Sequence, residues 1–228
     1  MIIITGASKG VGEYLFGEFK KLGQSVVGTY NTTNFLVSDK SCYYKIDITD
    51  YKNVSEWVLS LKPELDKIIL INCAGISYNS FAHKADISLW NKVIEVNLNG
   101  TFNVIHSLLP IMRDQNYGRI INFSSVVTSL PTVGISAYMA SKSAINGLTK
   151  VLAKENASKG ITVNAINLGY SSIGMGISEI SENHKDILLK NIPVGRFCEP
   201  IEILNTVNFI IDTEYINGSI IDLNGGLI

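Results

Sequence analysis

Apolar residues fall into short unbroken runs separated by longer stretches of helical spacing, and this alternation sets out an architecture before any chemistry is considered. The runs are IIIT at 2–5, QSVVGTY at 24–30, CYYKI at 42–46, KIILIN at 67–72, RIINFSS at 119–125, ITVNAIN at 161–167 and SIIDLNG at 219–225. Helical periodicity fills the intervals near 10–22, 50–62, 86–113, 136–158, 176–190 and 200–212. A strand that is apolar throughout needs cover on both faces, and crossover helices supply it. The pattern predicts an α/β fold: a doubly wound parallel sheet with helices on both faces. No repeat, low-complexity tract or linker breaks it, so one domain over 1–228 is expected. The irregular stretch 169–197, with Gly169, Gly174 and Gly176 near its start, reads as a hinged flap.

Composition narrows the possibilities. With 46% hydrophobic and 17% charged residues, a chain of 228 residues can bury a sizeable core. A net charge of −1, without an Arg/Lys cluster interleaved with aromatics, argues against a nucleic-acid partner. Cys42, Cys73 and Cys198 form no Cys-x-x-Cys pair, which disfavours a disulfide framework or zinc site and fits a reduced, cytoplasmic setting. Cys73 reads as a small buried apolar side chain. His83, His106 and His184 show no metal spacing, so no metal is expected. Met1 is followed at once by Ile2, Ile3 and Ile4, leaving no room for an export signal, and no apolar run reaches the ~18–20 residues of a membrane span.

The first run leads into Thr5-Gly6-Ala7-Ser8-Lys9-Gly10-Val11-Gly12 and then a helix. Glycines let the backbone approach a pyrophosphate, and a helix N-terminus offers amide donors and partial positive charge. The spacing is G-x-x-x-G-x-G, not the usual G-x-G-x-x-G. Such turns also serve tight strand-to-helix packing, but position inside a βαβ unit favours the nucleotide reading. A site for NAD carries an acidic residue about 20 residues past the glycines, holding the ribose 2′-hydroxyl. Here the second run ends VVGTYNTTN, with no carboxylate until Asp39. Lys9 in the turn, with Thr29, Asn31 and Thr32 at the strand end, would accommodate a 2′-phosphate, so NADP(H) is expected over NAD(H). Lys9 serves equally well as a solvated loop lysine.

Candidate chemistry sits in SVVTSLPTVGISAYMASK, 125–142, where Tyr138 precedes Lys142 by four residues. On a helix that spacing puts phenol and ammonium on one face, one turn apart. A lysine charge ~4 Å away at an effective dielectric of ~20 contributes about 4 kcal/mol, on the order of three pKa units toward phenolate. A phenol of pKa ~10 then becomes a usable general acid near neutral pH. Ser125, 13 residues upstream, could hydrogen-bond the carbonyl oxygen that Tyr138 protonates. Tyr-x-x-x-Lys also arises by chance, with the tyrosine merely half-buried.

With these residues in hand, the chain resembles the short-chain dehydrogenase/reductase family, most closely its 3-oxoacyl-[acyl-carrier-protein] reductase branch. The likeness runs from TGASKGVG through DIT at 47–49, NCAG at 72–75, VNLNGTF at 96–102 and the Ser125, Tyr138, Lys142 set to PVGRFCEPIEI and INGSIIDLNGG. It implies a Rossmann fold and reduction of a ketone to a secondary alcohol. Tyr138 would be the proton donor, Ser125 the carbonyl-orienting hydroxyl, and Lys142 the ribose-binding residue that acidifies the tyrosine. Asn97 would hold a water of the proton relay, or merely satisfy backbone groups at a helix irregularity. Gly6, Ser8, Lys9, Gly10, Val11 and Gly12 would line the pyrophosphate, with Thr29, Asn31, Ile48, Ala74, Gly75 and Gly169 around the rest of the dinucleotide. Asp47 would reach the adenine amino group, its bland alternative being a cap for the helix beginning near Tyr51. Asn72 would brace the sheet and, like Tyr138 and Lys142, border the cofactor. Ser124 is the neighbouring serine, but the 13-residue gap to tyrosine selects Ser125.

Departures from the family pattern are specific. Cys73 replaces an asparagine, Leu168-Gly169 a proline-glycine, and Ile173 the threonine that holds the carboxamide, leaving Ser171 or Ser172 as substitutes. Of two basic positions that dock an acyl carrier protein, one is Lys159 and the other the uncharged Asn116. The expected substrate is a small carbonyl compound or acyl thioester, with acyl carrier protein a possible partner. Competing readings are a reductase of a sugar or polyketide alcohol and a non-catalytic NADP(H)-binding protein. Two helices, carrying Phe102, Val104, Ile105, Leu108, Leu109 and Ala144, Ile145, Leu148, Val151, Leu152, hold more apolar surface than one sheet face would bury. A homodimer or homotetramer is therefore expected.

Overall fold

Each apolar run becomes a parallel strand, and helices occupy the described parts of the periodic stretches between them. A computed structural model describes residues 1–32, 41–175 and 182–228, with side chains described outside 182–185. In chain order the elements are β1 (Ile2–Thr5), α1 (Gly10–Lys21), β2 (Val26–Tyr30), β3 (Tyr43–Lys45), α2 (Tyr51–Leu61), β4 (Ile69–Asn72), α3 (Ile87–Ile94), a π-helical segment (Glu95–Gly100) and α4 (Thr101–Gln115). There follow β5 (Gly118–Ser125), α5 (Ser136–Asn156), β6 (Ile161–Leu168), α6 (Glu182–Asn191), α7 (Pro200–Asp212) and β7 (Ile220–Leu223). Asp39, Gly176, the start of the helix expected at 176–190, part of the 169–197 flap and the His184 side chain lie outside the described portions.

The seven strands form one sheet in the order β3-β2-β1-β4-β5-β6-β7, all parallel. This is the expected doubly wound, Rossmann-type α/β fold. One face packs Trp57, Val104, Leu108, Met112 and Leu152 against the sheet, the other Leu15, Phe16, Phe19, Ile203 and Val207. The chain leaves β1 toward β2 and returns on the far side as β4, so a crevice opens where the winding reverses. Thr5, Asn72, Asn122 and Ala165 align in register across it, placing the carboxyl ends of the strands on one rim.

Three expectations need correction. The helix expected at 86–113 is not uniform: it passes through a π segment at Glu95–Gly100, where one extra residue per turn re-aims the side chains. Asp50, not Asp47, caps α2, accepting from the Asn53 amide at 3.1 Å. The apolar surplus on α4 and α5 is also smaller than the pattern suggests. Val104, Ile105, Leu108, Ile145 and Leu152 are buried and Leu109 and Leu148 pack against the same core, leaving Phe102 and Val151 exposed.

Arg119 opens β5 as a charged residue in an otherwise apolar strand, and its side chain is buried. Its guanidinium donates to the carbonyls of Gly118, Gly160 and Ile211 and pairs with Glu214 at 2.5 Å, with the Tyr117 ring 4.4 Å away. It joins β5, the entry to β6 and the end of α7. Removing it strands buried acceptors, so Arg119→Ala should lower stability by about 3 kcal/mol. Thermal denaturation should register this as a fall in Tm on the order of 10 °C. Glu214→Ala, at an exposed carboxylate, should shift it far less.

Candidate active site

The glycine turn between β1 and α1 is held from three sides. Ala7 donates its amide to Thr29 O at 2.8 Å, and the Ala74 amide donates to Thr5 Oγ1 at 3.2 Å. Gly6 and Gly10 take φ of +68° and +60°, a region disfavoured for side-chain-bearing residues. A Cβ at Gly6 would stand 2.7 Å from Ala74 Cα, and one at Gly10 2.8 Å from Gly174 Cα. Lys9 occupies the N-cap of α1 without a side-chain hydrogen bond to the helix, leaving the first-turn amides to outside acceptors. Bare backbone plus an uncapped N-terminus makes a cradle for a phosphate group.

A cavity of about 500 Å³ opens over this turn. Gly6, Ser8, Lys9, Gly10, Val11 and Gly12 form one wall, Thr29 and Asn31 an end, Asp47 and Ile48 a side, and Ala74 and Gly75 the floor. Twelve sequence-nominated cofactor positions thus share one cavity. Four others lie off its wall. Asn72 turns into the sheet, donating to Asn122 Oδ1 at 2.9 Å, and Asn122 in turn donates to Thr149 Oγ1 at 3.0 Å. Gly169 backs onto Asn224, whose Cα would lie 2.8 Å from a Cβ there. Tyr138 and Lys142 stand beyond the floor, where a Cβ on Gly75 would lie 3.7 Å from Lys142 Nζ. Gly75 is therefore the seam between the cavity and the Tyr138–Lys142 helix face.

The wall also contains Tyr30, Thr32, Ile46, Cys73, Ile76, Lys92, Val96, Gly174 and Met175. Lys92 belongs to α3, a helix whose sequence pattern gave no hint that it faced the site. Burial pushes the Asp47 carboxyl up, but hydrogen bonds from Thr49 and Asn31 and the charge of Lys92 outweigh it and hold the group below the usual carboxylate range. Cys73 packs against the core as expected and also reaches the cavity, its thiol pushed well up by burial.

Ser125 ends β5 and Tyr138 and Lys142 lie on α5. Burial lowers the Lys142 ammonium to about 8. Its Nζ donates to Phe123 O at 2.6 Å and sits 5.6 Å from the Tyr138 ring centroid. Ser125 Oγ accepts from the Val127 amide at 3.4 Å, which leaves its proton to donate elsewhere. Ser124 is committed to structure, donating to Lys142 O at 3.2 Å.

Asn97 lies in the π segment, buried. Its Oδ1 accepts from Ile76 N at 2.8 Å, and Nδ2 donates to Ile76 O at 2.9 Å and Ser141 Oγ at 3.0 Å. Both amide protons are used, so the side chain has no donor left for the nominated relay water, and Thr101 Oγ1 already contacts the Asn97 backbone carbonyl at 2.8 Å. The two serines offered as substitutes for the carboxamide-holding threonine are engaged as well. Ser171 donates to Ile173 O at 2.6 Å, and Ser172 faces Glu199 at 3.5 Å. Among the described residues there is no group of His, Cys, Asp or Glu able to hold a metal ion, and no helix long and apolar enough to cross a membrane.

Comparison with known proteins adds an independent line. The family model for short chain dehydrogenase matches residues 1–183. Acetoacetyl-CoA reductase of Shinella zoogloeoides is 36% identical over 98% of this chain and 96% of its own length. The 3-oxoacyl-[acyl-carrier-protein] reductases of Thermotoga maritima and Staphylococcus epidermidis are 34% and 32% identical, each over 99% of this chain and 96% and 97% of their own. A phosphate cradle at the sheet's winding reversal, a serine, tyrosine and lysine at its far end, and matches of this length agree: the chain belongs to the short-chain dehydrogenase/reductase family and is an oxidoreductase of the kind that uses a nicotinamide cofactor.

Proposed function

We propose that the protein is an NADP(H)-dependent reductase that converts the ketone of a 3-oxoacyl thioester into a secondary alcohol. The observation that carries the reading is the continuity, across Gly75, between the phosphate cradle and the Ser125, Tyr138 and Lys142 groups. When bound along that path, the nicotinamide supplies the hydride. Ser125 Oγ, its lone pair engaged by Val127, donates a hydrogen bond to the substrate carbonyl and fixes its orientation. Tyr138 delivers a proton to the oxygen as negative charge develops, and Lys142 holds positive charge one turn away.

Preference for a 2′-phosphate is supported by the wall composition. Lys9 and Lys92 share the wall with one carboxylate, Asp47, and Tyr30 at the end of β2 is followed by Asn31 and Thr32, with no acid among them. Lys9→Ala should raise KM for NADPH about tenfold with little change for NADH, because a charge-assisted phosphate contact is lost. Steady-state kinetics with both cofactors test it. Equal effects on the two would refute the assignment.

The thioester class is supported by the relatives, one group of which bears the name acetoacetyl-CoA reductase and another 3-oxoacyl-[acyl-carrier-protein] reductase. Asn116, the left-handed C-cap of α4 at φ 50°, is uncharged where carrier docking calls for a base, and this favours the CoA-linked substrate. Turnover of acetoacetyl-CoA should exceed that of acetoacetyl-acyl-carrier protein. Failure to reduce either thioester with NADPH or NADH would overturn the proposal.

A further inference from the structure

A second cavity, about 360 Å³ and polar, is lined by Thr128, Asn146, Lys150, Asn167 and Asp222. Its floor is a chain of hydrogen bonds. Asn167, buried in β6, donates Nδ2 to Asp222 Oδ1 at 3.0 Å. An ionised carboxylate only accepts, so Asp222 fixes which way the Asn167 amide points and turns Oδ1 inward. Asn146 Nδ2 on α5 donates to that Oδ1 at 3.2 Å and to Thr128 Oγ1 at 3.3 Å. Thr128 has one proton and two acceptors in reach: Ser125 O at 3.0 Å and Asn167 Oδ1 at 3.5 Å. Because Asn146 already serves the Asn167 oxygen, the Thr128 proton goes to the shorter contact, Ser125 O. That pins the peptide following Ser125 and aims the next amide, Val127 N–H, at Ser125 Oγ.

We propose that Asp222, Asn167, Asn146 and Thr128 form a positioning chain that sets the hydroxyl of Ser125 from the edge of the sheet, so that a group otherwise free to rotate is held ready to donate a hydrogen bond to the substrate carbonyl. The inference rests on the reading of Ser125 as the carbonyl-orienting residue. Thr128 touches the backbone of Ser125 and nothing that reacts; it acts through that serine.

The test is a cycle of Thr128→Val, Ser125→Ala and the double variant, with Thr128→Ser as the conservative control. It uses acetoacetyl-CoA and NADPH, with hydrogen exchange of the Val127 amide measured alongside on the same proteins. Thr128→Val keeps shape and loses the hydroxyl. It should lower kcat about tenfold with KM for NADPH unchanged and speed Val127 exchange about tenfold, while Thr128→Ser restores both to within about twofold. In the Ser125→Ala background the same substitution should cost nothing further in kcat. A tenfold loss that persists without the Ser125 hydroxyl, or a lower Tm with kcat and Val127 exchange unchanged, overturns the positioning chain. If Ser125→Ala itself leaves kcat intact, the catalytic reading of Ser125 fails, while Val127 exchange in Thr128→Val still decides whether the chain holds that turn.

Discussion

Replacing Tyr138 with phenylalanine is expected to lower kcat for ketone reduction about 10³-fold, with cofactor affinity and Tm nearly unchanged. The substitution removes one oxygen and leaves the ring, so packing on α5 should survive. What disappears, under the proposed mechanism, is the hydroxyl that hands over a proton as the carbonyl oxygen gains charge. Positioned general acids contribute about 10² to 10⁴ in rate, and this one also stabilises the developing oxyanion. Stopped assays with acetoacetyl-CoA and NADPH, with cofactor binding followed by calorimetry, separate chemistry from binding. A variant that keeps more than about a tenth of the activity would remove the tyrosine from the mechanism. A variant that also loses the cofactor would point to a binding role instead.

Lys142→Met should abolish turnover, by about 10³-fold, and yet leave a protein at least as stable as the parent. The ammonium is buried, and burial lowers it from the ordinary 10.5 to about 8. Near neutral pH the folded protein therefore carries a charge it holds less favourably than the unfolded chain does, by about 3 kcal/mol. Below pH ~8 both states are protonated and this cost is constant. Between ~8 and ~10.5 the unfolded chain keeps the proton longer, so this group's contribution to stability improves as pH rises. Methionine fills the same volume without the charge, at the expense of the 2.6 Å hydrogen bond to Phe123 O. The net expectation is a gain of about 1 kcal/mol at pH 7, shrinking toward pH 10. Thermal melts of both proteins across that range measure it. Catalysis should follow the opposite course in the parent, with kcat falling above about pH 8 as Lys142 loses its proton. A Lys142→Met protein that melts well below the parent at pH 7 would mean that the ammonium holds the fold together instead of straining it.

These two side chains were legible because their signal is local: four residues on a helix fix a face whatever the rest of the chain does. The glycine turn was legible for the same reason, and the parallel sheet followed from apolar runs that need cover on both faces. Features that depend on distant partners were not. Lys92 drew no reading because nothing in its own neighbourhood reveals that α3 runs beside Asp47. Asn72 was read both as a brace and as a wall residue, and only strand parity against Asn122 decides that its amide enters the sheet. The irregularity around Asn97 came only with the family resemblance, because one added residue in a turn barely disturbs a periodicity of 3.6, although it determines that Ile76 and Ser141 contact every polar atom of that side chain. Arg119 gave no warning either, since its carbonyl partners are spread over three separate elements. The apolar count on α4 and α5 overstated their outward surface because both helices bury one stripe against the sheet.

The helix that follows β1 begins on Lys9 with no side chain closing its first turn. With that end uncapped by the Lys9 side chain, a dinucleotide bound as proposed would act as the missing end-piece of the helix. Protein kept with its cofactor should accordingly resist nicking by proteases near the glycine turn, and protein kept without it should lose that corner first.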